Sequence, residues 1–158
     1  MNEEFKLPSY SEIPSVGLYL DQTSKYINEA LNDLPECSIT NSMISNYVKK
    51  HLIANPVRKQ YGREQIAHLI FIAVTKSTLS LDDIDGLFRL QEEKYECEKA
   101  YMYFRERFDE ALNRRELRKD HKEKRKEVIL LDNIVATVAG NIRLHEMLRD
   151  TLEENVPN

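Results

Sequence analysis

Helix breakers are scarce in this chain: four Gly and five Pro occur in 158 residues. Between Pro56 and Pro157 only Gly62, Gly86 and Gly140 interrupt, and about a hundred residues with so few breakers predict helix nearly throughout. Cysteine is scarcer still. Cys37 and Cys97 have no metal-ligand spacing and nothing at the N-terminus resembles a signal peptide, which points to a reduced, cytoplasmic protein. Long apolar runs are missing too. The longest, Ile66 to Val74, is broken by His68 and is far too short to cross a bilayer, so no membrane partner is expected. There is no Gly-rich phosphate loop, no nucleophile elbow and no carboxylate pair beyond what helix patterning explains. His51, His68, His121 and His145 are scattered, with no pair at ligand spacing on one helix face. A non-enzymatic protein without metal or cofactor is expected.

One further absence is local. The stretch Ser38 to Arg63 contains no Asp or Glu, yet carries Lys49, Lys50, Arg58, Lys59 and Arg63. The chain is −4 overall and this window is +5, which leaves −9 on the remaining residues. An acidic protein that gathers positive charge in one helix-plus-loop presents a patch for a polyanion, and duplex DNA is the first candidate.

What is present reads as an all-α protein. Residues 1–11 form an N-terminal arm. A first helix over 16–31 shows Val16, Leu20, Ile27 and Leu31 on one face, and Pro35 ends the region. A second helix starts near Thr40, with Ser38 or Thr40 as N-cap. At about 100° per residue, Asn41, Ser42, Ser45, Asn46, Lys49 and Lys50 share one half of its wheel, and Met43, Ile44, Tyr47 and Val48 the other. Leu52 and Ile53 close it and Asn55-Pro56 forces a turn. A third, nearly wholly buried helix spans 63–77, and Ser80-Leu81-Asp82-Asp83 opens a fourth as a capping box in its Asp form. From Leu87, the positions Leu90, Lys94, Cys97, Tyr101, Phe104, Phe108 and Ala111 follow a 3,4 heptad rhythm, which predicts a seam that is an intramolecular core or a dimer interface. Cys97 on this seam packs or senses. Arg114 to Lys126 holds eight basic and three acidic residues and reads as a solvated linker or a second polyanion patch. Val128 to Leu152 resumes the apolar pattern and predicts a helical hairpin, or a long helix and a return helix.

The phrases T-x-S-M-I-x-N-Y-V-K-K-x-L-I-x-x-P, Y-x-R-E-Q-I-x-x-L-x-F-I and L-S-L-D-D-I, over Thr40 to Ile84, resemble the DNA-binding half of MerR-type regulators. Over nearly its whole length the chain resembles more specifically an uncharacterised bacterial family, domain of unknown function 1836, through EIPSVGLYLDQ-x-x-x-YIN at Glu12 to Asn28, SMI-x-NYVKK and Y-x-REQIAHLIFI. The MerR-type resemblance implies a winged helix-turn-helix module over 12–85, followed by a C-terminal helical segment over 86–158 as a hairpin or coiled-coil-like extension that packs on it or dimerises.

The function implied is sequence-specific double-stranded DNA binding by a homodimeric transcriptional regulator. Asn41, Ser42, Ser45 and Asn46 would contact bases in the major groove. Lys49, Lys50, Arg58, Lys59, Tyr61 and Arg63 would contact phosphates. Cys97, Tyr101, Phe104 and Phe108 would form the dimer or core seam. An unknown small-molecule effector is open, since helical C-terminal parts can enclose a pocket. The rival is a protein-protein interaction module that uses the basic helix face for an acidic partner.

Overall fold

Helix α3, Arg63–Thr75, is the axis of the fold. Ile66, Ala67, Leu69, Ile70, Ile72, Ala73 and Val74 are each at most 2% exposed, and a helix apolar on every face is stable only inside a core. The computed structural model describes residues 4–113, 122, 123 and 125–154. The described residues are all-α and contain six α-helices: α1 Leu20–Ala30, α2 Asn41–Lys49, α3, α4 Leu81–Lys94, α5 Cys97–Leu112 and α6 Lys126–Glu154. Short 3₁₀ turns sit at Tyr10–Glu12 and Pro35–Cys37, and β pairing among these residues is limited to isolated bridges.

The first helix starts later than periodicity predicts. Leu18 forms an antiparallel bridge with Tyr61, its N–H donating to the Tyr61 carbonyl at 3.0 Å and its own carbonyl accepting at 2.7 Å. That pairing holds residues before Leu20 extended, and leaves Val16 75% exposed instead of on the core face. The second helix is capped as expected at Thr40, whose Oγ1 accepts from the Met43 N–H at 3.1 Å. It ends at Lys49, before Leu52 and Ile53. A Schellman closure is made there by His51 N–H to Val48 O and Leu52 N–H to Tyr47 O. Ser80 caps α4 through its Oγ, which accepts from the Asp83 N–H at 3.1 Å.

The heptad rhythm from Leu87 to Ala111 is not one helix. The chain leaves α4 at Lys94, Tyr95 is extended (φ −141°, ψ 144°) and Glu96 starts α5. In α5 the rhythm buries Tyr101, Phe104, Phe108 and Ala111, whereas in α4 the buried residues are Ile84 and Phe88, Leu87 and Leu90 are half-buried and Lys94 is exposed. A hairpin of the last two helices is also not what forms. Tyr95 meets Glu127, Tyr103 and Arg107 meet Asp132, and Arg143 reaches the Ala111 carbonyl. Residue numbers rise together along both partners, so α5 and α6 run parallel. The physical allowance is chain length: α5 is about 24 Å long, and the thirteen residues 113–125 can span over 40 Å when extended. The Arg114-to-Lys126 charge run lies largely outside the described residues.

Residues 4–13 run along α5. The Leu7 N–H donates to Asp109 Oδ1 at 3.2 Å, Arg105 Nε to the Leu7 carbonyl at 2.7 Å and the Tyr101 hydroxyl to the Pro8 carbonyl at 2.6 Å. Asn113 both donates to and accepts from the Phe5 backbone. Buried residues from Leu7 to Ile142 make one core.

Within α6, Lys126–Glu153 has the length and composition to cross a membrane (28 residues, mean hydropathy 1.2 over its most apolar window), and 28% of that window is buried, which contiguous apolar runs do not reveal. Its Ile134, Val135, Val138, Ala139 and Ile142 are buried against the rest of the fold.

Candidate nucleic-acid interface

Helix α2 is held by its neighbour before it presents anything. Asn28 of α1 grips Ile39 with both amide atoms, Nδ2 donating to the carbonyl and Oδ1 accepting from the N–H, each at 2.8 Å. Asn41 sits between Ser24, whose hydroxyl donates to its Oδ1 at 2.5 Å, and Asp21, which accepts from its Nδ2. Ile44 and Tyr47 face the core. Ser42, Ser45, Asn46, Lys49 and Lys50 are left on the exposed face.

Beyond α2 the chain makes a two-residue hairpin turn. Val57 and Gln60 exchange both backbone hydrogen bonds, at 3.1 and 3.0 Å. Arg58 and Lys59 occupy its two central positions with φ 54° and 65°, the geometry of a type I′ turn, in which Asn-Gly is the usual choice. Two long cationic side chains in left-handed backbone are strained by roughly 1–2 kcal/mol each. Both are exposed, with Val57 73% exposed beside them. The base of the turn is clasped by Gln65. Its Oε1 accepts from the Gly62 N–H at 2.7 Å and its Nε2 donates to the Ala54 and Asn55 carbonyls at 2.8 and 3.1 Å. Gly17 allows the lead-in to lie against the turn, since a Cβ there would stand 2.7 Å from Gln60 Cβ.

The ten predicted contact residues divide on this geometry. Ser42, Ser45, Asn46, Lys49, Lys50, Arg58 and Lys59 are exposed, and none of the four cations is ion-paired among the described residues. Three are engaged elsewhere. Asn41 is locked between α1 and α2. Tyr61 is 4% exposed, and burial raises its hydroxyl pKa as it does that of Tyr47. Arg63 donates from Nε to the Ile13 carbonyl at 2.8 Å and from Nη2 to the Ser11 carbonyl at 3.3 Å, and stacks over Tyr10. The clasp by Gln65 and the close approach at Gly17 are not visible in sequence, because both depend on contacts that only the folded turn creates.

The seam residues lie in the core of the single chain. Tyr101, Phe104 and Phe108 are 5%, 3% and 0% exposed, with Phe104 against Phe71 and Phe108 against Phe5. Cys97 lies 3.8 Å from His68 Nε2, a pairing hidden by a sequence separation of 29. Burial, reinforced by Glu64 and Glu92, pushes the thiol up to about 11, so it stays protonated and unreactive at neutral pH. Among the described residues no three His, Cys, Asp or Glu side chains gather as a metal site.

The chain matches one protein family over residues 8–104, described as Domain of unknown function (DUF1836). No curated protein and no solved structure matches it.

Proposed function

This chain belongs to the DUF1836 family, and we propose that it is a non-enzymatic, cytoplasmic, sequence-specific binder of double-stranded DNA acting in transcriptional regulation. The observation that carries the reading is the set of four exposed, unpaired cations on the α2 terminus and the adjoining strained turn, in a molecule otherwise rich in acid. An ordinary solvated helix face would intersperse carboxylates, and strain of this kind persists where an exposed group has a task. In this reading α2 enters the major groove, with Ser42, Ser45 and Asn46 toward base edges. Lys49 and Lys50, with Arg58 and Lys59 acting as a miniature wing, meet phosphates and set register. Arg63 anchors the lead-in, and Asn41 fixes the α1–α2 angle.

A two-fold site requires two copies with recognition helices about 34 Å apart. The aromatic seam is occupied within the chain, so the dimer face assigned here is the outer side of α6. Leu144, Met147, Leu148 and Leu152 are 46–65% exposed there.

A second reading is favoured by Val16, Tyr19 and Val57, exposed by 75%, 53% and 73% near the basic turn. Apolar groups bordering cations suit an acidic protein partner as well. Fluorescence anisotropy on a random-sequence duplex separates the two readings. Micromolar binding at low salt that falls at least tenfold in Lys49→Glu/Lys50→Glu is expected of the DNA binder. No binding by the folded protein would leave the protein-partner reading.

A further inference from the structure

Helices α3, α4, α5 and α6 leave a cavity of about 180 Å³ between them. Phe71, Leu87, Phe88, Phe104 and Leu131 form its walls. The ring of His68 lies 4.4 Å from that of Phe88, and Phe71 lies 4.9 Å from Phe104, centroid to centroid. Packed interiors hold few voids larger than a water molecule. An apolar cavity of about 150 Å³ is known to stay dry and accept benzene. This one is slightly larger and aromatic on most sides, and Lys99 and Arg125, which line its outer end, are exposed.

The polar groups around it are already satisfied, and this decides what it can hold. The Tyr101 and Tyr103 hydroxyls donate to the Pro8 carbonyl and to Asp132. Arg125 is paired with Glu123, and Lys94 with Glu127, which also accepts from the Tyr95 hydroxyl. Lys99 is exposed at the outer end and lies 5.8 Å over the Tyr95 ring, so no unmatched charge faces the aromatic interior among these groups. One uncharged polar corner remains. Gln91 Nε2 donates to the Tyr95 carbonyl at 2.7 Å, so its Oε1 faces His68 Nε2 at 3.3 Å. The Cys97 thiol lies beside the same nitrogen. A charge carried into the aromatic interior would be stripped of water with nothing there to pair it.

We propose that this cavity is a binding site for a compact, uncharged molecule of one or two fused aromatic rings, stacked among the three phenylalanines with any polar edge toward His68, Gln91 and Cys97. The proposal stands whether or not the protein binds DNA.

Indole is the probe. The chain contains no Trp, so indole emission excited beyond tyrosine absorption reports its surroundings without protein background. Titration into the protein is expected to give a saturable blue shift and a rise in Tm. Ala100→Leu fills the cavity from its partly exposed rim and is expected to raise the dissociation constant at least tenfold with the circular dichroism spectrum unchanged. Indole-3-acetate, the same ring with a carboxylate, is expected to bind at least tenfold more weakly. No saturable shift up to millimolar indole would overturn the proposal, as would equal affinity in Ala100→Leu or for the carboxylate.

Discussion

His51 and Asp109 show how much one residue carries here. His51 ends α2 in the left-handed conformation (φ 60°) at the position of a Schellman closure where Gly is usual. His51→Gly relieves the Cβ clash and gives back part of that as unfolded-chain entropy. A net gain of about 0.5–1 kcal/mol is expected in chemical denaturation. Asp109 is half-buried where its carboxylate accepts from the Leu7 N–H. Burial outweighs that bond and the nearby Arg105 and Lys6, and its pKa is raised to about 6. A raised folded-state pKa means that the native state holds the proton longer than the unfolded chain, so this contribution to stability is present below about pH 4 and lost as pH rises to about 6. Asp109→Asn keeps an acceptor and removes the titration. The stability of the parent relative to this variant should fall between pH 4 and 6, by on the order of 1 kcal/mol after allowance for partial exposure, as read by denaturation at stepped pH.

At the scale of elements, α2 and α3 were legible from the chain because each states itself locally. Thr40 is a cap that bonds, α2 splits cleanly into polar and apolar halves, and α3 is apolar all round. What was not legible depends on distant partners. The late start of α1 follows from Leu18 pairing with Tyr61, 43 residues on, and the break at Tyr95 is invisible to a heptad count because the 3,4 spacing runs through it unchanged. Asn55-Pro56 predicts a turn, and the chain makes one just beyond it at Val57–Gln60. The left-handed backbone at Arg58 and Lys59 is not predicted, since neither residue signals it. Gln65 is the element-scale control on this turn. Gln65→Leu removes one acceptor and two donated bonds of similar shape, and a loss of roughly 1–2 kcal/mol is expected. If the turn is a wing, duplex affinity should fall in this variant with no change in its salt dependence, because no cation is removed.

For the whole molecule, the parallel course of α5 and α6 returns the chain across its own fold. It places Asn141 beside Thr78 and Arg149 beside Glu36, so α6 braces both ends of the core while its outer side stays free. Periodicity locates such a helix but carries no sign of its direction, which is why a hairpin was anticipated. If α6 joins two copies, light scattering should give a dimer for the parent chain and a monomer for Leu144→Glu/Leu148→Glu, with the helical content of both alike. A parent that is monomeric at tens of micromolar would remove the two-fold site from the proposal.

The central claim is that the exposed cations of α2 and the turn meet nucleic-acid phosphate. Its most direct test is the salt dependence of duplex affinity in the parent and in Arg58→Asn/Lys59→Gly, which installs the favoured turn sequence and should fold more stably. Four phosphate contacts predict a log–log slope of about −3.6 per bound module, and loss of two predicts about −1.8. A weaker, flatter response from a more stable variant is the expected result. No duplex binding at low salt by the folded parent, or an identical slope in the variant, would contradict the account.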